Sequence, residues 1–148
     1  PLITPELVAI GLAATDKTEA TSRLVDLMVA AGRVTDAAGF LDDVRKREAQ
    51  MATGMPGGIG LPHARSEHVT APSLALAQVP GGVDFGAPDG PADLVFLIAA
   101  PATGDEDHLK ILAALARKLV HESFRSSLKG APDAQTVADI ITKEVVIS

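Results

Sequence analysis

Four histidines and no cysteine make imidazole the natural nucleophile of this 148-residue chain near neutral pH. Their settings differ. His63 follows a glycine-rich stretch in the run Gly57-Gly58-Ile59-Gly60-Leu61-Pro62-His63-Ala64-Arg65. Pro62 fixes its own backbone angle and lacks a donor, and the upstream glycines could turn backbone N–H groups toward an anion. A lone histidine is more often a polar residue satisfied by local hydrogen bonds; one beside an anion-holding loop permits several chemistries. His108 falls in the first turn of an expected helix, where the helix dipole keeps imidazole neutral and attracts anions. By itself it reads as an ordinary residue beside three acids. Arg47, in Arg45-Lys46-Arg47 at an expected helix end, would usually be part of a solvated basic turn. Its planar fork, close in sequence to the glycine loop, suits two oxygens of a phosphoryl group. His68 reads as a surface residue, because no further metal ligands accompany it and its spacing from His63 is not that of a metalloprotease helix. His121 is expected near a helix C-terminus.

Composition and spacing narrow the chemistry. Without cysteine there is no disulfide, no thiolate metal site and no thiol nucleophile. The glycines at 54, 57, 58 and 60 match neither the dinucleotide fingerprint nor the phosphate-binding loop of nucleotide hydrolases, and no Gly-x-Ser-x-Gly elbow occurs. No cofactor or metal is therefore expected. A net charge of −6 and the absence of Trp and Tyr argue against nucleic acid as a partner. No apolar run approaches the roughly 18 residues of a membrane span, and Pro1-Leu2-Ile3-Thr4-Pro5 has no export-signal pattern. The expectation is a cytoplasmic protein without membrane insertion, forming one domain over residues 1–148.

The elements that must position these residues alternate in type. Leu7 to Ile10 reads as a short strand. Asp16 and Glu19 cap a helix with Leu24, Leu27, Met28 and Ala31 on one face, ended by Gly32. Val34-Thr35-Asp36 opens a second helix through Phe40, Leu41 and Val44, ending in the charged turn Arg45 to Glu48. Residues 51–60 hold four glycines and a proline and read as a loop. Two strands follow, Leu74 to Val79 and Leu94 to Ala100, separated by a turn-rich stretch containing Pro80-Gly81-Gly82. The second lacks polar alternation and should be buried on both faces. A helix from Asp105 carries Leu109, Leu112, Leu115 or Ala116, and Leu119. A short one holds Phe124 and Leu128, and Asp133 caps the last. The fold class expected is α/β: a three-layer α/β/α sandwich whose central mixed sheet is flanked by helices.

Arg47-Glu48, Thr53-Gly54, Gly58-Ile59-Gly60-Leu61-Pro62-His63 and Asp107-His108-Leu109 together resemble the enzyme IIA domains of the fructose–mannitol class of the bacterial phosphotransferase system (PTS EIIA type-2). The likeness runs over essentially the whole chain and is greatest to the fructose branch. It implies that His63 is a phosphohistidine, accepting phosphate from the carrier HPr and passing it to a cysteine of enzyme IIB in sugar uptake. It also implies that His108 is the second active-site histidine and that Arg47 approaches the phosphoryl group. The domain could be free-standing or fused to IIB and membrane IIC parts. A nitrogen-related regulatory EIIA would share the same histidine. Gly60 stands where the family usually has alanine, and looser backbone without loss of activity is expected there.

Overall fold

The structure, a computed structural model, describes residues 1–103 and 107–145, with the side chains at 107–109 outside the described residues. Thr4 leads into a short 3-10 turn, Pro5–Leu7, and strand β1 is only Val8–Ala9. Helix α1, Lys17–Ala30, opens on Asp16, whose carboxylate accepts from the Glu19 N–H, while Glu19 Oε1 accepts from Thr15 N. Both carboxylates thus satisfy donors at the helix start, as the sequence pattern anticipates. At its other end Gly32, at φ +75°, allows Arg33 N to reach Met28 O, an ending that suits glycine. Helix α2, Ala37–Gln50, is capped by Asp36 and buries Phe40, Val44 and Glu48. It does not stop in a charged turn at Arg45 to Glu48. Those residues belong to its last turns, with Arg45 and Lys46 exposed, Arg47 half-buried and Glu48 buried.

Strand β2, Ile59–Gly60, and strand β3, His63–Ser66, both run parallel to strand β5, Ala92–Pro101, which pairs antiparallel with strand β4, Ser73–Val83. With β1 parallel to β4, the sheet is mixed, in the order β1-β4-β5 and then β2 and β3 along the far side of β5. Residues 94–100 are all buried, as their unbroken apolar pattern requires. β2 lies at the end of the stretch 51–60 that the sequence reads as a loop, and two longer strands differ as well. β4 continues through Pro80-Gly81-Gly82 by a register shift between Gln78 and Val83. That bulge accommodates a proline and a positive-φ glycine that a regular ladder would reject. β3 occupies a stretch in which no strand was expected.

Helix α3, Asp107–Leu119, lies beyond β5; the expected start at Asp105 is outside the described residues. Ile111, Ala114, Leu115 and Leu119 bury its face, with Leu112 half-buried at the margin. Helices α4, Glu122–Lys129, and α5, Ala134–Glu144, follow, the latter capped by Asp133 as expected. α1 packs on β4 and β5, and α2 on β3. α3 and α4 pack on β5, and α5 on β1. The sheet is thereby covered by helices on both faces, the three-layer arrangement that the element pattern implies. Gln78, buried on β4, donates from Nε2 to the Leu128 and Ala131 carbonyls and so fastens the end of α4 to the sheet.

Candidate functional site

His63 begins β3 opposite Ile98 and is only 9% exposed. Its Nδ1 stands 2.8 Å from the Leu61 carbonyl oxygen. A carbonyl can only accept, so Nδ1 carries the proton and donates it. In the neutral ring the lone pair is then on Nε2. The Pro62 ring helps to make this possible: it restricts the bend between Leu61 and His63 that brings the carbonyl back to the imidazole. Burial lowers the His63 pKa below its ordinary value. The Leu61 hydrogen bond opposes that shift, the nearby Arg47 charge adds to it, and Glu48 opposes it. The ring is therefore a neutral base with a fixed tautomer.

His63 forms part of the wall of an open basin of about 310 Å³ with Asp43, Lys46, Arg47, Gln50, Ala64 and Arg65. Arg47 projects from the last turn of α2, where Nη1 donates to Met51 O at 3.1 Å. Its neighbour Glu48 points inward and accepts from Thr53 N at 2.7 Å and Thr53 Oγ1 at 2.6 Å, with Lys17 Nζ at 4.0 Å. That pair closes the end of α2 onto the following loop, so the chain leaves the basin along a fixed path. The sequence reading quoted Glu48 and Thr53 as motif residues without giving them this task. Lys46 is paired with Asp42 at 3.0 Å, and Arg65 Nη2 donates to Ala102 O.

The glycine loop does not cradle an anion at His63. Ile59 pairs with Leu94 and His63 with Ile98, four residues further along β5. At about 3.3 Å per residue the glycines just before β2 stand more than about 13 Å away along the sheet. Gly57 and Gly58, at φ +97° and +78°, turn against Arg125, Asp93 and Lys129 instead. The loop's amides are also engaged: Gly54 N donates to Phe85 O, Met55 N to Ile59 O, and Gly57 N to Asp89 Oδ2. Gly60 is also not loose. It is a buried, paired strand residue on which the Phe85 ring lies so closely that a Cβ would come within 2.6 Å of it.

The other histidines separate clearly. His68 is half-buried, its ring against the start of α2 with Asp36 at 3.9 Å and Glu67 at 3.8 Å, so it is not simply a surface residue. His121 is exposed two residues beyond α3 and serves as the N-terminal boundary of α4 without a side-chain cap bond. His108 has its backbone in the first turn of α3, and its side chain is outside the described residues. Among the described residues no cluster of three metal-ligating side chains occurs. The structure thus brings Arg47 and His63 to one basin.

A neutral, oriented imidazole and an arginine on the rim of an open basin have the chemistry to receive a small anionic group. The chain belongs to the EIIA 2 family of the phosphoenolpyruvate-dependent sugar phosphotransferase system, whose family model matches residues 1–144. It is 45% identical over 145 residues to the PTS system fructose-specific EIIA component of Haloferax volcanii, covering 97% of this chain and 94% of that protein. It is 32% identical to the fructose-specific EIIABC component of Bacillus subtilis, matching 96% of this chain but only 22% of that longer protein. Among solved structures, the nitrogen regulatory protein IIA-Ntr of Neisseria meningitidis superposes with a TM-score of 0.86 at 26% identity, covering 95% and 96% of the two chains. IIA mannitol of Escherichia coli gives 0.80 at 26%, covering 94% and 98%.

Proposed function

We propose that this chain, as one cytoplasmic domain, is the phosphoryl carrier of a fructose-type phosphotransferase system, with His63 Nε2 as the carrying atom. The observation that carries this reading is the Nδ1–H bond to Leu61 O, which leaves a deprotonated Nε2 in a basin shared with Arg47. The 45% identity to a fructose-specific EIIA component supports the sugar class. In the first step the Nε2 lone pair attacks the phosphorus of the phosphohistidine of HPr. The new N–P bond forms as the donor's N–P bond breaks, its electron pair returning to the donor ring. In the second, a cysteine thiolate of enzyme IIB attacks the same phosphorus and the electron pair returns to Nε2. Such transfer asks for in-line placement and for charge stabilisation on the equatorial oxygens, which the Arg47 guanidinium supplies. His108, at the start of α3, is assigned as the second histidine beside the phosphoryl group. No metal or cofactor enters either step.

Incubation with labelled phospho-HPr should place one phosphoryl group on the wild-type protein and none on His63→Ala. His108→Ala should still accept the group but pass it on slowly. Label persisting on His63→Ala would refute the assignment. The likeness to IIA-Ntr favours a second reading, a phosphorylation-dependent interaction switch. Offering several enzyme IIB domains to the phosphorylated protein separates the two: transfer to a fructose-type IIB supports transport, and transfer to none supports the switch.

A further inference from the structure

Arg47 and His63 belong to different elements, yet stabilising a phosphoryl group needs their separation held within a fraction of an ångström. Among the described residues no hydrogen bond runs from Arg47 to β3; its guanidinium is held by Met51 O at the end of its own helix. Its place across the basin is therefore inherited from the seat of α2. One turn before Arg47, on the same face of α2, stands Asp43. Its Oδ2 accepts from Ser66 Oγ at 2.6 Å, a short, charge-assisted bond to the last residue of the strand that begins with His63. Ser66 is 3% exposed, and its oxygen in turn accepts from His68 N at 3.1 Å. With one lone pair so engaged, the hydroxyl spends its single proton on Asp43. Among the described residues β3 pairs only with β5, and α2 packs on it.

We propose that Asp43 and Ser66 are positioning residues: their bond locks α2 onto β3 and thereby holds Arg47 at the His63 ring. The role rests on the phosphoryl-carrier reading for its purpose, though the coupling itself is a property of the unphosphorylated protein. A misplacement of about 1 Å at a transfer site costs on the order of a hundredfold in rate, and loss of one strap should cost about tenfold.

The experiment has two arms on the whole protein. In the first, the His63 ring is titrated by NMR without any phosphoryl donor. Arg47→Ala should raise its pKa by removing a neighbouring positive charge. Ser66→Ala should shift it in the same direction, the Arg47→Ala/Ser66→Ala double variant no further than Arg47→Ala, and Ser66→Thr, which keeps the hydroxyl, should give the wild-type curve. In the second arm, Ser66→Ala should lower kcat for phosphate acceptance from phospho-HPr about tenfold with KM little changed. An unshifted titration in Ser66→Ala, or an additive shift in the double variant, overturns the proposal. If wild-type protein accepts no phosphate, the carrier reading falls while the titration still decides the coupling.

Discussion

Replacing Gly60 with alanine adds a single methyl group where the Phe85 ring leaves no room. The new Cβ would lie 2.6 Å from one ring carbon and 2.8 Å from the next, so the ring must retreat by about 0.8 Å to reach the 3.4 Å of ordinary contact. Phe85 has little freedom to do so. It is 1% exposed, and its carbonyl accepts the Gly54 N–H at 2.9 Å across an approach so close that a Cβ on Gly54 would itself meet that carbonyl oxygen at 2.6 Å. Overpacking of this kind costs about 1–3 kcal/mol. In a chain of this size each kcal/mol moves the melting midpoint by roughly 2–4 °C, so a drop of about 4–8 °C is expected for a middle value. Displacement of β2 would also carry Leu61, whose carbonyl orients His63, so phosphate acceptance should slow as well. Thermal unfolding of Gly60→Ala, Phe85→Leu and the double variant tests the cause. The double variant should be more stable than the sum of the single losses predicts, by a coupling of at least about 0.5 kcal/mol. A Gly60→Ala protein with an unchanged midpoint, or strictly additive losses, would refute the clash argument and restore the view that this position is merely lax.

Three further outcomes are expected. Because the His63 pKa is lowered in the folded protein, the unfolded chain takes up a proton first as pH falls below about 6.5, the unfolded value. The stability present above that pH is lost as pH falls toward the folded value, and melting midpoints of His63→Gln should depend less on pH in that window. The same shift favours the deprotonated ring, so, in the proposed carrier role, the acid-side fall in the rate of phosphate acceptance should come at lower pH than for an unshifted imidazole in a stopped-flow pH series. Glu48→Ala leaves Thr53 N and Oγ1 without their acceptor in a buried place, which should cost about 2 kcal/mol in urea unfolding and detach the end of α2. Gln78→Leu strips the Leu128 and Ala131 carbonyls of a shared donor, and a loss of about 1–3 kcal/mol is expected by the same measurement.

What the sequence shows well is whatever depends on local periodicity or on one side chain acting over three residues. Asp16, Asp36 and Asp133 each cap a helix because a short carboxylate can reach an N–H only there, and the run 94–100 is a doubly covered strand because nothing polar interrupts it. β3 was hidden for the opposite reason. His63-Ala64-Arg65-Ser66 is short and polar, and it is a strand only because β5 offers it a ladder that lies more than thirty residues away. The glycine loop misled through nearness in sequence: eight residues or fewer separate it from His63, yet an extended chain carries those residues along the sheet and away from the basin. The link between Asp43 and Ser66 spans 23 positions and joins two unremarkable polar residues, so no spacing rule would reveal it.

The Leu61 carbonyl has a consequence for the proton inventory of the transfer. In the proposed carrier role, with the Leu61 bond holding the hydrogen on Nδ1, the ring would enter and leave each cycle without exchanging a proton with solvent. Arrival and departure of the phosphoryl group then need no acid or base at this residue. The two directions of transfer are governed by the same heavy-atom motion, and heavy water should leave the rate of either almost unaltered.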